Sequence, residues 1–345
     1  MRILHGPQNI SGMAYSLAKA QRDLGFDAEA VTVWNPVYQF ESDRWLDETA
    51  TAPRPVDPRL FEHEELGQYD VYHFYFGLGY TGADLKEFPK LKARGKRLFM
   101  YFCGCDLRDS KKTLQTYEFS VCQDCWPQAC SPNRARAMEM CSKYADGVFV
   151  STVDLLDEWP EAIWLPQPVK VSELRKLAKE VRRKKLGRRF TRAYPMLVAH
   201  APSDSMKKGT AYLEKAVEAM RADGLHIKLN IIEGAAHNDV IRACAKADCA
   251  VDQLTAGVYG SFSVEMMAID VPVISYLRSS WIDRFPEQPP IINANPETIE
   301  ATLRNVYSGN IDTKSASQRA QKYALQYHDA QKVAEKALEA YGIKS

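Results

Sequence analysis

Residues 247–276, ADCAVDQLTAGVYGSFSVEMMAIDVPVISY, constrain the fold of this chain more than any other stretch. Two apolar runs within it, 249–254 and 271–276, have the length and β-branching of strands buried inside an α/β sheet. A glycine-punctuated loop and a short helix over 264–269 separate them. The loop residues Gly257, Gly260, Ser261, Phe262 and Ser263 lead into that helix with several backbone N–H groups available. The first N–H groups of a helix lack internal partners and sit at the positive end of its dipole. The turn therefore reads as an anion site or as an ordinary capped helix start. Glu265, expected in the first turn, is placed to accept two hydroxyl hydrogen bonds from a ribose beside a phosphate.

At 345 residues the chain is too long for one core and suits two domains of about 150 residues each. Its 45 basic and 44 acidic residues leave a net charge of +1. That balance exerts no global pull toward nucleic acid or membrane and favours small-molecule chemistry. No run approaches the roughly 20 apolar residues of a membrane helix, and the start MRILHGPQ reads as a strand rather than a signal peptide. A cytoplasmic protein with reduced thiols is the expectation.

From the N-terminus, a strand over 1–5, a loop holding Ser11 and Gly12, a helix over 13–24 and a strand over 28–33 make the βαβ unit of a doubly wound sheet. Ligands of such sheets gather beyond the carboxyl ends of strands, so Ser11 and Gly12 are site candidates; a plain N-cap at Ser11 is the bland alternative. No G-x-G-x-x-G is present, so no dinucleotide fingerprint supports the loop. Residues 35–68, rich in Pro, Asp, Glu and Arg, read as irregular connection. Strands over 70–76 and 96–102 follow, the second running into Cys103-Gly-Cys-Asp-Leu-Arg108. Asp106 and Arg108 in this turn suit an acceptor hydroxyl or a phosphate, and equally a surface ion pair. His73, flanked by aromatic residues, reads either as an acceptor-side residue or as a satisfied core histidine.

Six of the eight cysteines lie between positions 103 and 141. Cys122 and Cys125 have the spacing that lets one turn aim two thiolates at one ion. With Cys130 and Cys141, and Cys105 as a substitute, they form a candidate structural zinc site; the alternatives are disulfides, disfavoured in a reducing cytoplasm, or reduced thiols that happen to cluster. A catalytic zinc is disfavoured because no nearby His or Glu pattern leaves an open position.

A strand over 145–152 and the segment 162–169 complete the first half, where Pro166 and Pro168 mark a rigid boundary. The expected division is a first domain over 1–168 with a cysteine-rich insertion at 103–141, a linker and basic helix over 169–192, and a second domain over 193–317. The tail over 315–343 reads as helices, with apolar residues at 324, 325, 330, 333, 334, 337, 338 and 341. The basic run 182–185 reads as a solvated face, lacking the aromatic or glycine interleaving of a nucleic-acid patch. In the second half, a strand over 194–200 leads to Lys207 and Lys208 before Gly209, and a helix begins at Thr210. An ammonium there can neutralise a diphosphate. A strand over 226–232 and the loop 233–238 follow, with Asn238 a good N-cap for a helix over 239–246.

The pattern Gly260-x4-Glu265-x-Met267-Ala-x3-Pro272-Val-Ile resembles the nucleotide-sugar motif of retaining glycosyltransferases of the GT-B fold, in particular glycosyltransferase family 4. The resemblance implies two Rossmann-like, doubly wound α/β domains facing an interdomain cleft. It implies a nucleotide-sugar donor held mainly by the second domain, an acceptor held by the first, transfer with retention, and a C-terminal helix from about 318 to 345 that returns to the first domain; no D-x-D occurs in the chain, so no catalytic metal is expected. Glu265 matches the second Glu of the family's E-x7-E pair, which binds the donor ribose; the first falls at Gly257. Lys208 matches the Lys of an Arg-x4-Lys phosphate pair, whose Arg is replaced by Ser203. Glu233 opens the loop where that family places the nucleotide base, and Cys103 stands near the position of a sugar-contacting His. Lys208, Glu265 and Asp106 are the expected catalytic set. Lys207, Ser11, Gly12 and the Gly257 to Ser263 loop fall on the donor side, with Cys103, Arg108 and His73 on the acceptor side. An epimerase of nucleotide sugars, a glycosyltransferase of nucleic-acid bases and a silent nucleotide-binding module on this fold remain open.

Overall fold

The apolar runs become two parallel sheets. The computed structural model describes residues 1–33, 39–47, 55, 57, 64–125, 130, 132–181 and 190–343. It divides into a first unit of Met1–Asp109, Gln128–Val169 and His328–Ser345, and a second of Ser110–Pro127 and Lys170–Tyr327.

In the first unit, β1 (Arg2–Gly6), β2 (Asp27–Thr32), β3 (Arg44–Trp45), β4 (Val71–Tyr75), β5 (Arg97–Phe102), β6 (Gly147–Val150) and β7 (Ile163–Trp164) pair in parallel in the order β3-β2-β1-β4-β5-β6-β7. Successive strand residues face opposite sides, so each strand feeds two cores. Leu4, Phe74, Met100 and Val150 pack on one face with Phe88, Leu91 and Met140. Ile3, Tyr75, Phe99 and Phe149 pack on the other, against Met13, Ala14 and Leu17 of the helix Met13–Asp23 and Val333, Ala337 and Leu338 of the helix Ala330–Ala340. Within the segment expected to be irregular, β3 and the short helix Glu64–Gly67 form; much of that segment lies outside the described residues.

In the second unit, β8 (Met196–His200), β9 (Ile227–Ile231), β10 (Cys249–Val251), β11 (Val273–Ser275) and β12 (Ile292–Asn293) are parallel in the order β12-β11-β10-β8-β9. Met196, Val198, Cys249, Val251 and Ile274 meet Leu213, Val217 and Met220 of the helix Thr210–Ala222 and Leu303 of the helix Ile299–Ser308. The chain runs from β8 outward to β9, then returns to place β10 on the other side of β8. The carboxyl ends of β8 and β10 are therefore a topological switch point, the place where doubly wound sheets bind ligands.

Several expected boundaries move. The helix expected as part of a linker is the helix Val171–Val181, and it buries Val171, Leu174 and Ala178 against the helices His237–Cys244 and Ser261–Ala268. It belongs to the second unit; the basic run 182–185 lies outside the described residues. The C-terminal return begins at His328 rather than near 318, since the helix Thr313–Tyr323 belongs to the second unit. Residues Ser110–Pro127 also join the second unit instead of the first. Among the contacts that tie them there, the Arg278 guanidinium lies 3.9 Å from the Tyr117 ring centre and 4.8 Å from that of Trp281, its Nη2 donates to the Phe119 carbonyl at 2.6 Å, and the Tyr212 hydroxyl donates to Asp124 Oδ2 at 3.2 Å.

Candidate functional site

The loop after β8 and the loop after β10 meet at the second unit's switch point. After β8, Asp204 caps the four-residue helix Ser205–Lys208 by accepting from the Lys207 N–H. Lys207 and Lys208 thus stand in the last turn of one helix, where a cation suits the dipole, not at the start of the next. Gly209, with φ +76°, then turns the chain into the helix Thr210–Ala222. His200, at the end of β8, is buried and joins the two strand ends: Nδ1 donates to the Val251 carbonyl and Nε2 accepts from the Thr210 hydroxyl, both at 2.8 Å. Burial lowers its pKa, so the ring stays neutral in this role.

The strand after Cys249 stops at Val251, three residues earlier than its sequence pattern suggests, because Asp252 and Gln253 turn to meet Lys208. Lys208 Nζ donates to Asp252 Oδ1 at 2.8 Å and to Gln253 Oε1 at 3.0 Å. Asp252 Oδ2 accepts from the Gly260 N–H at 3.0 Å and from the Ser263 hydroxyl at 2.7 Å. Burial alone would push the Asp252 carboxyl up. The Lys208 ammonium, the Ser263 hydroxyl and the Gly260 N–H together outweigh it and hold the pKa below the usual carboxylate range.

The helix that follows is Ser261–Ala268, with Gly260 at its N-cap and no side chain capping it. Starting at Ser261 rather than Val264, it places Glu265 in the second turn instead of the first. Every residue from Phe262 to Ala268 is buried. Glu265, only 7% exposed, accepts from His237 Nε2 at 2.7 Å. His237 opens the helix His237–Cys244, so Ala236, not Asn238, occupies the cap. Gly257 has φ +78°, and a Cβ there would lie 2.8 Å from the Trp281 ring, so glycine is required. Glu233 accepts from the Ser205 hydroxyl at 2.5 Å, and Lys207 pairs with Asp204 at 3.1 Å.

Several of the first-unit candidates have partners within the protein. Asn9 Oδ1 accepts from the N–H groups of Ala14 and Tyr15, so the helix after Ser11 and Gly12 is capped by Asn9. Asp106, 1% exposed, accepts from the N–H groups of Cys103 and Gly104 and holds the turn after β5; burial raises its pKa to about 6 against those bonds. Arg108 donates through Nε and Nη2 to Asp154 Oδ2 at 2.9 and 2.5 Å, a buried pair in place of an open cation. The Cys103 thiol, pushed well up by burial and by the Asp106 carboxylate, is no ready thiolate. His73 is a core histidine after all, 1% exposed within β4 and bonded through Nδ1 to the Tyr341 hydroxyl.

No three His, Cys, Asp or Glu side chains among the described residues form a group that could hold a metal, so the zinc site expected at Cys122, Cys125, Cys130 and Cys141 or Cys105 gains no support. Cys141 is buried in the core beside Met140 and Val148, its thiol pushed up by that burial, while Cys130 is exposed.

The residues missed by sequence reasoning are Asp252, Gln253 and His237. A charged residue directly after a buried β-run is the signal that marks Asp252, since a carboxylate there sits at the ligand edge of a parallel sheet.

Neither a scan of protein families nor a search of curated proteins finds a match for this chain. Solved structures do match. Anabaena HepE in complex with UDP-glucose gives a TM-score of 0.63 at 14% identity, covering 99% of each chain. Sucrose-phosphate synthase from Thermosynechococcus elongatus gives 0.61 at 14% identity, over 98% of this chain and 93% of that one. An α-glucosyltransferase in complex with UDP-glucose and DNA containing an abasic site gives 0.58 at 11% identity, over 98% and 97%. At these identities the likeness shows the fold, and the fold is GT-B, with one doubly wound parallel α/β sheet in each unit.

Proposed function

We propose that this chain is a glycosyltransferase that takes its sugar from a uridine-diphosphate donor bound at the switch point of the second unit. One arrangement carries the reading: the Lys208 ammonium, the uncapped first turn of Ser261–Ala268 and the Glu265 carboxylate share the loops beyond β8 and β10. The turn's N–H groups and the ammonium suit a diphosphate, and both stabilise the charge that builds on it as the glycosyl bond breaks. Glu265, set by His237, accepts the ribose hydroxyls. UDP is the donor nucleotide favoured by the company the fold keeps, since HepE and the α-glucosyltransferase were each solved with UDP or UDP-glucose. Transfer proceeds with retention, following the resemblance of the Gly260 to Ile274 pattern to family 4.

A thermal-shift comparison of UDP, UDP-glucose, GDP, ADP, CDP and dTDP tests this. A ligand at one hundred times its Kd adds about 2.7 kcal/mol, a Tm rise of several degrees. The expected result is a rise with the uridine compounds that Glu265→Ala removes; a rise with another base, or none, would overturn the assignment.

A further inference from the structure

The carboxylate of Asp252 already takes donors that the diphosphate site read above would offer. It is 1% exposed, and its two oxygens receive the Lys208 ammonium, the Gly260 N–H and the Ser263 hydroxyl. Two of these donors, the Gly260 N–H and the Ser263 hydroxyl, belong to the helix start, and the third, Lys208, comes from the loop after β8. The second lysine is matched as well, since Lys207 lies 3.1 Å from Asp204. A resting site whose cations already face carboxylates has little net charge to hold a polyanion. The amides of the uncapped turn remain as its principal pull.

Like charge close by in a poorly solvated site weakens anion binding strongly, because the local dielectric screens it less than water does. For a transferase that weakness is useful: the nucleoside diphosphate must leave after every turnover, and product release commonly limits such enzymes. Resting on the donor-site reading above, we propose that Asp252 is a positioning residue that holds Lys208, Gly260 and Ser263 in register while cancelling the Lys208 charge, and so sets how fast the nucleoside diphosphate departs. Lys208 has two anchors, Asp252 Oδ1 and Gln253 Oε1, and keeps the second as it turns toward a phosphate.

The sign of one substitution separates this from a purely structural carboxylate. Asp252→Asn is isosteric and keeps an oxygen for Gly260 and Ser263 while losing the charge. Calorimetry and stopped-flow with UDP are expected to show it binding about tenfold or more tighter than the unmodified protein, with the change residing in a slower off-rate. A carboxylate that merely braces the loop predicts the reverse, so equal or weaker binding overturns the proposal. Should the variant fail to fold, the unmodified protein decides. An anion meeting a neutralised site loses less than about threefold in UDP affinity between about 0.05 and 0.5 M salt, and a loss of tenfold or more overturns it. If the unmodified protein binds no UDP at all, the donor-site reading fails first; if it binds and Asp252→Asn binds no tighter, this inference fails alone.

Discussion

Asp106 and Asp252 are both buried carboxylates just beyond a strand end, yet their surroundings move them in opposite directions. Asp252 has an ammonium, and its pKa falls; Asp106 has backbone N–H groups and the more distant Arg108, which do not offset burial, and its pKa rises from 3.8 to about 6. A raised carboxyl pKa means the folded state holds the proton more tightly than the unfolded chain. Stability from Asp106 is therefore present in acid and lost as the pH climbs from about 4 to about 6, a contribution of about 3 kcal/mol. Asp106→Asn cannot ionise. In urea denaturation, its stability relative to the unmodified protein should improve by that amount between pH 4 and pH 7, and a constant difference would refute the assignment. Residues of this kind divide the legible from the illegible. Lys208, Gly260, Ser263 and Glu265 announced themselves by chemistry beside a glycine-rich turn. The buried partners that hold them, Asp252 and His237, are far in sequence from what they hold, 44 residues from Lys208 and 28 from Glu265, and no local pattern encodes such a pairing.

At the scale of elements, periodicity gave most strands to within two residues, because a parallel strand buried on both faces is a plain apolar run. It failed where polarity and burial part company. The helix Ser261–Ala268 is buried on every side, so it has no amphipathic stripe to mark its start, and its first turn read as loop. The segment Ser110–Pro127 is polar and cysteine-bearing, and residues distant in sequence, Arg278 and Tyr212 among them, tie it to the second unit. Arg278 stacks on Tyr117 and Trp281 and donates to the Phe119 carbonyl, contacts that lysine cannot reproduce with its point charge. Arg278→Ala and Arg278→Lys should each cost about 2 kcal/mol, from the lost charged hydrogen bond and cation–π contact. Limited proteolysis should then cut within 110–127 in both variants before any other described segment. A lysine variant as resistant as the unmodified chain would show that charge alone holds the segment.

For the whole molecule, the decisive feature is that the first unit is not finished until the last residues of the chain. The polypeptide leaves it at Val169 and re-enters at His328, and the two passages pair: Val169 N–H donates to the His328 carbonyl at 2.8 Å, and Ala330 N–H to the Val169 carbonyl at 2.9 Å. The returning helix Ala330–Ala340 and the residues after it then bury Val333, Ala334, Ala337, Leu338, Tyr341 and Ile343 against the face that the helix Met13–Asp23 presents. The apolar spacing of the tail made its helices legible; the return itself followed from the resemblance to GT-B chains, and the residue at which it begins from neither. Four of those side chains are large, and burying them is worth on the order of 10 kcal/mol, as much as the entire stability of an ordinary domain. A chain ending before Asp329 should therefore fail in the first unit while the second, whose core holds no residue beyond 327, stays folded. Hydrogen exchange reads the two separately. Amides of β1, β2 and β4 are expected to exchange freely in the truncated chain while those of β8 and β10 keep their protection. Loss of protection in β8 and β10 as well would mean that the second unit draws its stability from the first, and retained protection in β1 would mean that the first does not need its final helix.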